Sequence, residues 1–192
     1  MKAKIGLYFG SFNPIHNGHL AIANYMLEFT DIEQIWFVVS PQNPFKQKQN
    51  ILPDYQRLEM VNLAIEDKNG YYASNIEFNL PKPSFTIDTL TYLYDKYPDK
   101  EFVLIMGTDN LINFHKWKNF NEILRYYHIY VYPRPGSVNT ELMKHPQVKL
   151  VDAPLMEISS SFLRNSIKEK KNVQFFMPQK VYDFIKEMHF YE

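Results

Sequence analysis

Short apolar runs, each bounded by turn residues, recur along the chain. The strongest are IGLYF at 5–9, IWFVV at 35–39, FVLIM at 102–106 and IYVY at 129–132. Weaker runs of the same kind lie at 72–78 and 148–151. Because the strong runs are short and have no polar face, they predict strands that are buried on both sides of a sheet.

Helical patterns alternate with these strands, and prolines mark the start of the second helix and the end of the third. Helices are predicted at 20–29, 53–67, 87–97, 159–168 and 178–188. The stretches 40–52, 79–86 and 107–118 are predicted to be irregular, and function concentrates in such loops. The alternation indicates an α/β fold: a doubly wound, Rossmann-like, mainly parallel sheet with helices on both faces and a helical C-terminal segment.

Composition narrows the classes of protein that this fold could serve. The 192 residues are 45% hydrophobic, which predicts one domain over 1–192 with a helical part at about 158–192 packed on it. The chain has no long apolar stretch and no leader pattern, so we expect a cytoplasmic protein without a membrane partner. Cysteine is absent, which excludes a thiolate nucleophile. Lys plus Arg equals Asp plus Glu at 21 each, so no nucleic-acid partner is predicted.

The loop after the first strand reads GSFNPIHNGH, residues 10–19. Ligands of a doubly wound sheet bind beyond the carboxyl ends of its strands, so this loop faces the binding crevice. Gly10 allows close backbone approach, and Gly18 keeps side chains away from the helix start. His16 and His19, three residues apart, can share one face and form an anion site with the free backbone N–H groups there. The alternative is one histidine that caps the helix and one that is satisfied in the core.

A second motif, EISSSFLR, occupies residues 157–164. Serines at a helix start can cap it and also present N–H groups to phosphate oxygens. Arg164 lies about one turn further along and can add a planar, bidentate charge. The alternative is an ordinary cap followed by a solvated arginine. If the two helix starts converge from opposite ends of the sequence, they form a clamp for a triphosphate.

Together, GSFNPIHNGH and ISSSFLR resemble the nucleotidyltransferase superfamily that has an [HT]xGH motif after its first strand and a late ISSTxxR-like motif. Within it, the chain is similar to the bacterial nicotinate-nucleotide adenylyltransferases over about residues 5–188. Further matching segments are SPQNPFKQ at 40–47, SFTIDTL at 84–90, GTDN at 107–110 and KW at 116–117. The resemblance implies that ATP and nicotinic acid mononucleotide are joined into nicotinic acid adenine dinucleotide with release of pyrophosphate, and that Mg2+ accompanies ATP.

The resemblance also implies site residues. The catalytic residues are His16, His19 and Arg164, with His19 at the α-phosphoryl and leaving groups and His16 at the neighbouring phosphates. The implied ATP-binding residues are Gly10, Ser11, Phe12, His16, Gly18, His19, Gly107, Asp109, Ile158, Ser159, Ser160, Ser161 and Arg164. The implied mononucleotide-binding residues are Ser11, Phe12, Lys46, Thr86, Trp117 and Lys118. No protein-held metal is predicted, because no third ligand stands near the histidine pair.

Three of these assignments have open alternatives. Asp109 can accept a hydrogen bond from a ribose hydroxyl or can cap a short helix. Trp117 can stack on the pyridine ring or can be an ordinary core aromatic. Lys46 can reach the mononucleotide phosphate or can be a solvated lysine.

The chain departs from the family pattern at two positions, and other functions remain open. Phe85 stands where tyrosine is frequent, so a hydroxyl contact is lost, and Lys118 stands where an aromatic is frequent. Phosphopantetheine adenylyltransferase, a cytidylyltransferase and a non-catalytic nucleotide sensor are the alternative functions. A homo-oligomer is compatible with the sequence.

Overall fold

The computed structural model describes residues 2–41, 51–136 and 140–192. Its single sheet has the strand order β3-β2-β1-β4-β5-β6, and every neighbouring pair is parallel. The strands are β1 Ala3–Gly10, β2 Gln34–Val39, β3 Tyr71–Ser74, β4 Lys100–Gly107, β5 His128–Tyr132 and β6 Val148–Leu150. The strand order reverses between β1 and β4, which is where doubly wound sheets bind ligands. The predicted fold class is confirmed.

Helices cover both faces of this sheet. They are α1 Asn17–Phe29, α2 Asp54–Ile65, α3 Thr86–Lys96, α4 Thr108–Ile112, α5 Phe120–Tyr126, α6 Ser160–Lys168 and α7 Gln179–Glu187. Buried side chains of α1, α2, α6 and α7 form one apolar cluster, and those of α3, α4 and α5 form the other. The C-terminal helices therefore pack on the same face as the helix that follows the first motif. None of the helices in the described ranges has the length and apolar content needed to cross a membrane.

Side chains of the central strands alternate between the two clusters. Leu104 and Ile129 lie in the cluster of α3 to α5, whereas Ile105 and Tyr130 lie in the cluster of α1. Both faces of each strand are covered, and this explains why the sequence shows uninterrupted apolar runs rather than alternation.

Two predictions of local structure are wrong. The strand predicted at 72–78 ends at Ser74, and a 3-10 helix follows at Ile76–Asn79. This turn brings the buried Glu77 carboxylate to the hydroxyl of Thr89, which donates to it at 2.7 Å. The stretch 107–118, predicted to be irregular, contains α4 and a 3-10 helix at Phe114–Lys116. α4 has only five residues, too few for a periodic pattern to be visible.

Candidate active site

The loop that follows β1 is built around a buried aromatic ring. Phe12 has a φ of 44° and is 1% exposed. A Cβ on Gly10 would lie 2.8 Å from Cζ of Phe12, so the missing side chain of Gly10 makes room for this ring. The predicted close backbone approach at Gly10 stays a prediction. The side chain of Phe12 is therefore not available to a substrate.

His16 and His19 lie at the start of α1, as their spacing predicts. Their rings are stacked, with centroids 3.7 Å apart and an interplanar angle of 28°. Nδ1 of His19 accepts a hydrogen bond from the backbone N–H of His16 at 3.3 Å. A Cβ on Gly18 would come within 3.1 Å of Nδ1 of His16, so Gly18 leaves the space in which the His16 ring lies. The pair shares one face, and that face includes the helix N-terminus.

The two imidazoles differ in environment. His16 is 3% exposed, and its buried Nδ1 has no hydrogen-bond partner within the described ranges. Burial, with a smaller contribution from the charge of Arg134, lowers the pKa of His16 from 6.5 to about 3. His16 is therefore neutral at pH 7 in the free protein. His19 is partly exposed and packs against the rings of Tyr8 and Phe12.

The serines of the second motif lie at the start of α6. Ser159 is the N-cap, and its hydroxyl accepts from the backbone N–H of Phe162 at 3.2 Å. Ser160 donates its hydroxyl to the carbonyl of Pro14 in the first motif at 2.9 Å. Cβ of Ile158 lies 3.6 Å from the position that a Cβ on Gly18 would occupy. The starts of α1 and α6 are thus adjacent.

Arg164 joins the same two motifs. Its Nη1 donates to the carbonyl of Asn13 at 2.8 Å, and its Nη2 donates to the hydroxyl of Ser161 at 3.3 Å. The two motifs, which lie near opposite ends of the sequence, are therefore in direct contact, and the convergence of the imidazole pair and the guanidinium on one triphosphate stays a prediction. The hydroxyls of Ser159, Ser160 and Ser161 therefore all bond to protein atoms.

The carboxyl end of β4 supplies the next wall of the crevice. Gly107 is the N-cap of α4, and Asp109 is exposed in its first turn, so Asp109 is not the cap of this helix. A Cβ on Gly107 would lie 2.4 Å from Oδ1 of Asp109 and 3.0 Å from Cγ of Arg134. Glycine at this position leaves room for both side chains.

The segments expected to hold the mononucleotide also lie side by side. Thr86 is the first residue of α3. Lys118 places its ammonium 2.9 Å from the carboxylate of Asp88 and 4.7 Å from the ring centroid of Phe85. The two departures from the family pattern are therefore in contact with each other. Trp117 is half-buried, which leaves part of its ring available for stacking. Lys46 lies outside the described residues.

Comparisons with known proteins agree with this geometry. A family model described as cytidylyltransferase-like matches residues 7–185. A protein of Flavobacterium johnsoniae named "Probable nicotinate-nucleotide adenylyltransferase" is 56% identical over 191 residues, which cover 98% of this chain and 99% of that one. A protein of the same name from Cytophaga hutchinsonii is 53% identical over 188 residues, 98% of each chain. The chain belongs to the nicotinate-nucleotide adenylyltransferase family.

A solved structure shares the fold of this nicotinate-nucleotide adenylyltransferase family member. The Plasmodium falciparum nicotinic acid mononucleotide adenylyltransferase complexed with NaAD matches it with a TM-score of 0.83. The match covers 98% of this chain and 97% of that one at 20% identity.

Sequence reasoning misses the buried arginine that braces the site of this adenylyltransferase family member. Arg57 is fully buried, and its Nη1 donates to the carbonyls of Ser11 at 2.6 Å and Ser40 at 3.0 Å. Its Nε donates to Leu52 at 2.9 Å, and its Nη2 pairs with Asp54 at 2.6 Å. Arg57 thus joins the segments that follow β1 and β2. The available signal is an arginine on the apolar face of α2, one turn before the buried Met60 and Val61.

A second brace comes from the other end of the chain. The hydroxyl of Tyr191 donates to Oδ1 of Asn13 at 2.7 Å, and the backbone N–H of Leu52 donates to the same oxygen at 3.3 Å. Asn13 also offers its carbonyl to Arg164. The first motif of this family member is therefore held from three sides, and nothing local in its sequence indicates the contact with Tyr191.

Proposed function

We propose that this protein transfers the adenylyl group of ATP to nicotinic acid mononucleotide, with nicotinic acid adenine dinucleotide and pyrophosphate as products. The observation that carries the proposal is the contact of Arg164 with Asn13 at 2.8 Å, which brings both motifs to one crevice. The names of the relatives from Flavobacterium johnsoniae and Cytophaga hutchinsonii support the choice of acceptor.

The reaction is a single in-line displacement at phosphorus. An oxygen of the mononucleotide phosphate forms a bond to the α-phosphorus of ATP, while the bond from that phosphorus to the α,β-bridging oxygen breaks and pyrophosphate departs. A phosphate monoester has a second pKa of about 6, so the attacking group carries no proton that must be removed at neutral pH. No general base is needed. The protein must align two anions and stabilise the charge that builds on the phosphoryl and leaving groups.

The residues of the crevice suit those two tasks. We assign His19 to the α-phosphoryl and leaving groups, because its ring is partly exposed at the start of α1. Neutral His16, whose Nδ1 forms no hydrogen bond with the described part of the chain, serves as a hydrogen-bonding group for the neighbouring phosphates. Arg164 adds fixed positive charge, because a guanidinium stays protonated. The starts of α1 and α6 add backbone N–H donors and favourable dipoles.

Mg2+ bound with ATP would neutralise charge on the phosphate chain. In the described part of the chain, no three His, Asp or Glu side chains lie close enough together to hold a metal ion. Mg2+ is commonly held by one or two carboxylates together with substrate phosphates, and exposed Asp109 is a carboxylate at this crevice. These residues fit an ion that arrives with its substrate, and we assign no step to it.

The pyridine end of the crevice is assigned to the segments of α3 and Trp117. The half-buried indole of Trp117 offers a flat surface for stacking. Thr86, at the first position of α3, offers a hydroxyl and a backbone N–H to the carboxylate of the acceptor. The ammonium of Lys118 is paired with Asp88, so Lys118 contributes through its backbone. Gly10, Ser11 and Phe12 would contribute backbone atoms from the other side.

The test is a panel of donors and acceptors. The purified protein is incubated with Mg2+, with ATP or CTP, and with nicotinic acid mononucleotide, nicotinamide mononucleotide or phosphopantetheine. Pyrophosphate release gives the rate, and mass spectrometry identifies the product. We expect the fastest release with ATP and nicotinic acid mononucleotide. Faster turnover of phosphopantetheine or of CTP would replace the proposed reaction, and nucleotide binding without turnover on any acceptor would indicate a sensor.

A further inference from the structure

Arg134 is a charged residue of the crevice that the proposed reaction leaves unused. It follows β5 by two residues and lies beside the start of α4. Its backbone N–H donates to the hydroxyl of Thr108 at 2.9 Å. Its Nη1 donates to the carbonyl of Met156 at 3.4 Å, close to the limit for a hydrogen bond. Arg134 therefore lies between β4 and the segment that leads into the second motif.

The guanidinium of Arg134 has hydrogen-bonding capacity to spare. Its Nε is buried and has no hydrogen-bond partner among the described residues. Its nearest carboxylate is that of Asp109, at a loose 3.9 Å. The side chain is 31% exposed, so a ligand can reach it. A buried unpaired N–H of a charged group costs free energy unless a ligand or water completes it.

The position of Arg134 coincides with the proposed triphosphate site. In the part of the crevice that the structure describes, Nε of Arg134 and Nδ1 of His16 are buried and have no hydrogen-bond partner. The charge of Arg134 is close enough to His16 to help lower the pKa of its imidazole. The resemblance implies that Gly107 contacts ATP. A Cβ at this position would lie 3.0 Å from Cγ of Arg134, so glycine leaves room for the arginine side chain. A phosphate that forms a hydrogen bond with Nδ1 of His16 would therefore lie close to the positive charge of Arg134.

We propose that Arg134 is a phosphate-binding residue of this site and that it contacts the polyphosphate chain of the nucleoside triphosphate from the β5 side. Arg164, on the side of α6, contacts the first motif, so the proposal gives the phosphate chain two guanidiniums, one from β5 and one from α6. Arg134 supplies the permanent positive charge that neutral His16 lacks. In the free protein, the carboxylate of Asp109 partly balances this charge. The inference rests on the proposed function, because it assumes that the crevice holds a nucleoside triphosphate.

Three variants test the proposal. Arg134→Gln removes the charge, and Arg134→Lys keeps a charge without the planar fork of donors. Arg125→Gln is the matched control, because Arg125 is exposed on α5 with its guanidinium 5.2 Å from the ring of Tyr126. The measurements are KM for ATP and for nicotinic acid mononucleotide, calorimetric Kd for a non-hydrolysable ATP analogue, and the pKa of His16 by NMR.

For Arg134→Gln we expect KM for ATP and Kd for the analogue to rise about tenfold or more, the range expected when charge-assisted hydrogen bonds are lost. We expect KM for the mononucleotide to change less than about twofold and the pKa of His16 to rise, because a neighbouring positive charge is gone. Arg134→Lys should lie between wild type and Arg134→Gln. Arg125→Gln should match wild type in every measurement.

Two outcomes overturn the proposal. Unchanged Kd for the ATP analogue in Arg134→Gln means that the guanidinium does not contact the phosphates. Equal increases in both KM values, with a lowered melting temperature and no recovery in Arg134→Lys, mean that the role is structural. If wild type binds the analogue but forms no dinucleotide with any acceptor, the proposed reaction fails while the binding arm still decides the role of Arg134.

Discussion

Two arginines at the carboxyl end of the sheet lie in opposite environments. Arg57 is fully buried, and its guanidinium makes four hydrogen bonds, the longest of them 3.0 Å. Arg134 is partly exposed, its Nε has no hydrogen-bond partner among the described residues, and its contacts with Met156 and Asp109 are 3.4 and 3.9 Å long. A buried guanidinium with a hydrogen-bond partner at each of its three nitrogens holds backbone segments together. A guanidinium with a nitrogen that lacks such a partner is suited to bind a ligand.

The same contrast appears within the first motif. The side-chain oxygen of Asn13 accepts from Tyr191 and from Leu52, and Asn13 is 2% exposed. His16, three residues later, is almost equally buried, but no described residue forms a hydrogen bond with its Nδ1. Asn13 is therefore held in place by its hydrogen bonds, whereas Nδ1 of His16 can still form one with a ligand. Such a combination presents a ligand-binding group in a fixed position.

Loss of the Arg57 brace should have the largest effect. Arg57→Met removes the donors of three backbone carbonyls and leaves Asp54 without its buried partner. We expect the free energy of unfolding to fall by about 3–5 kcal/mol, the usual result of breaking a buried ion pair. Urea denaturation measures it, with Arg125→Met as the exposed control. A loss below about 1 kcal/mol would show that Arg57 does not differ from a surface arginine.

His19→Ala should have the next largest effect, on catalysis rather than on folding. We expect kcat to fall at least about a hundredfold, as when one donor to transition-state charge is removed. The melting temperature should stay close to that of wild type. His189→Ala is the control, because His189 is an exposed histidine paired with Glu192, and its kcat should not change. Normal turnover in His19→Ala would end the assignment of this imidazole to the reacting phosphates.

Trp117→Ala distinguishes the mononucleotide end of the crevice from the ATP end. If the half-buried indole stacks on the acceptor, KM for nicotinic acid mononucleotide should rise about tenfold, since stacking on a base is worth about 1–3 kcal/mol. KM for ATP should change less than about twofold. Trp117→Phe, which keeps a flat ring, should recover much of the loss. Equal changes in both KM values would mean that the role of Trp117 is structural, through its packing against Phe114. The centroids of these two rings are 5.1 Å apart.

The sequence predicted the parts of the site that depend on local order. Strands buried on both faces leave apolar runs, and the motifs around His16 and Ser160 begin helices with recognisable N-terminal residues. The sequence alone does not place Arg134 at the site, because its proximity to His16 depends on the strand order that places β5 beside β4. A signal was present nonetheless. Arg134 stands between Pro133 and Pro135, directly after a buried strand, in a chain with four arginines.

The remaining prediction concerns His16 and has the smallest effect on the protein at neutral pH. The pKa of His16 is lowered from 6.5 to about 3 on folding, chiefly by burial. The folded state therefore favours the neutral ring. The contribution of His16 to stability is complete above pH 6.5 and is lost as the pH falls from there towards 3.

Uptake of this one proton changes the free energy of unfolding by at most about 1.4 kcal/mol per pH unit. Urea denaturation between pH 7 and pH 4 measures this change. His16→Gln, which cannot take up the proton, should show a shallower fall in the free energy of unfolding over this range. Gln174→Ala, a change on the exposed 3-10 helix at Gln174–Phe176, should keep the wild-type slope. If His16→Gln keeps that slope as well, other groups carry the pH dependence, and His16 is not held neutral by its buried position.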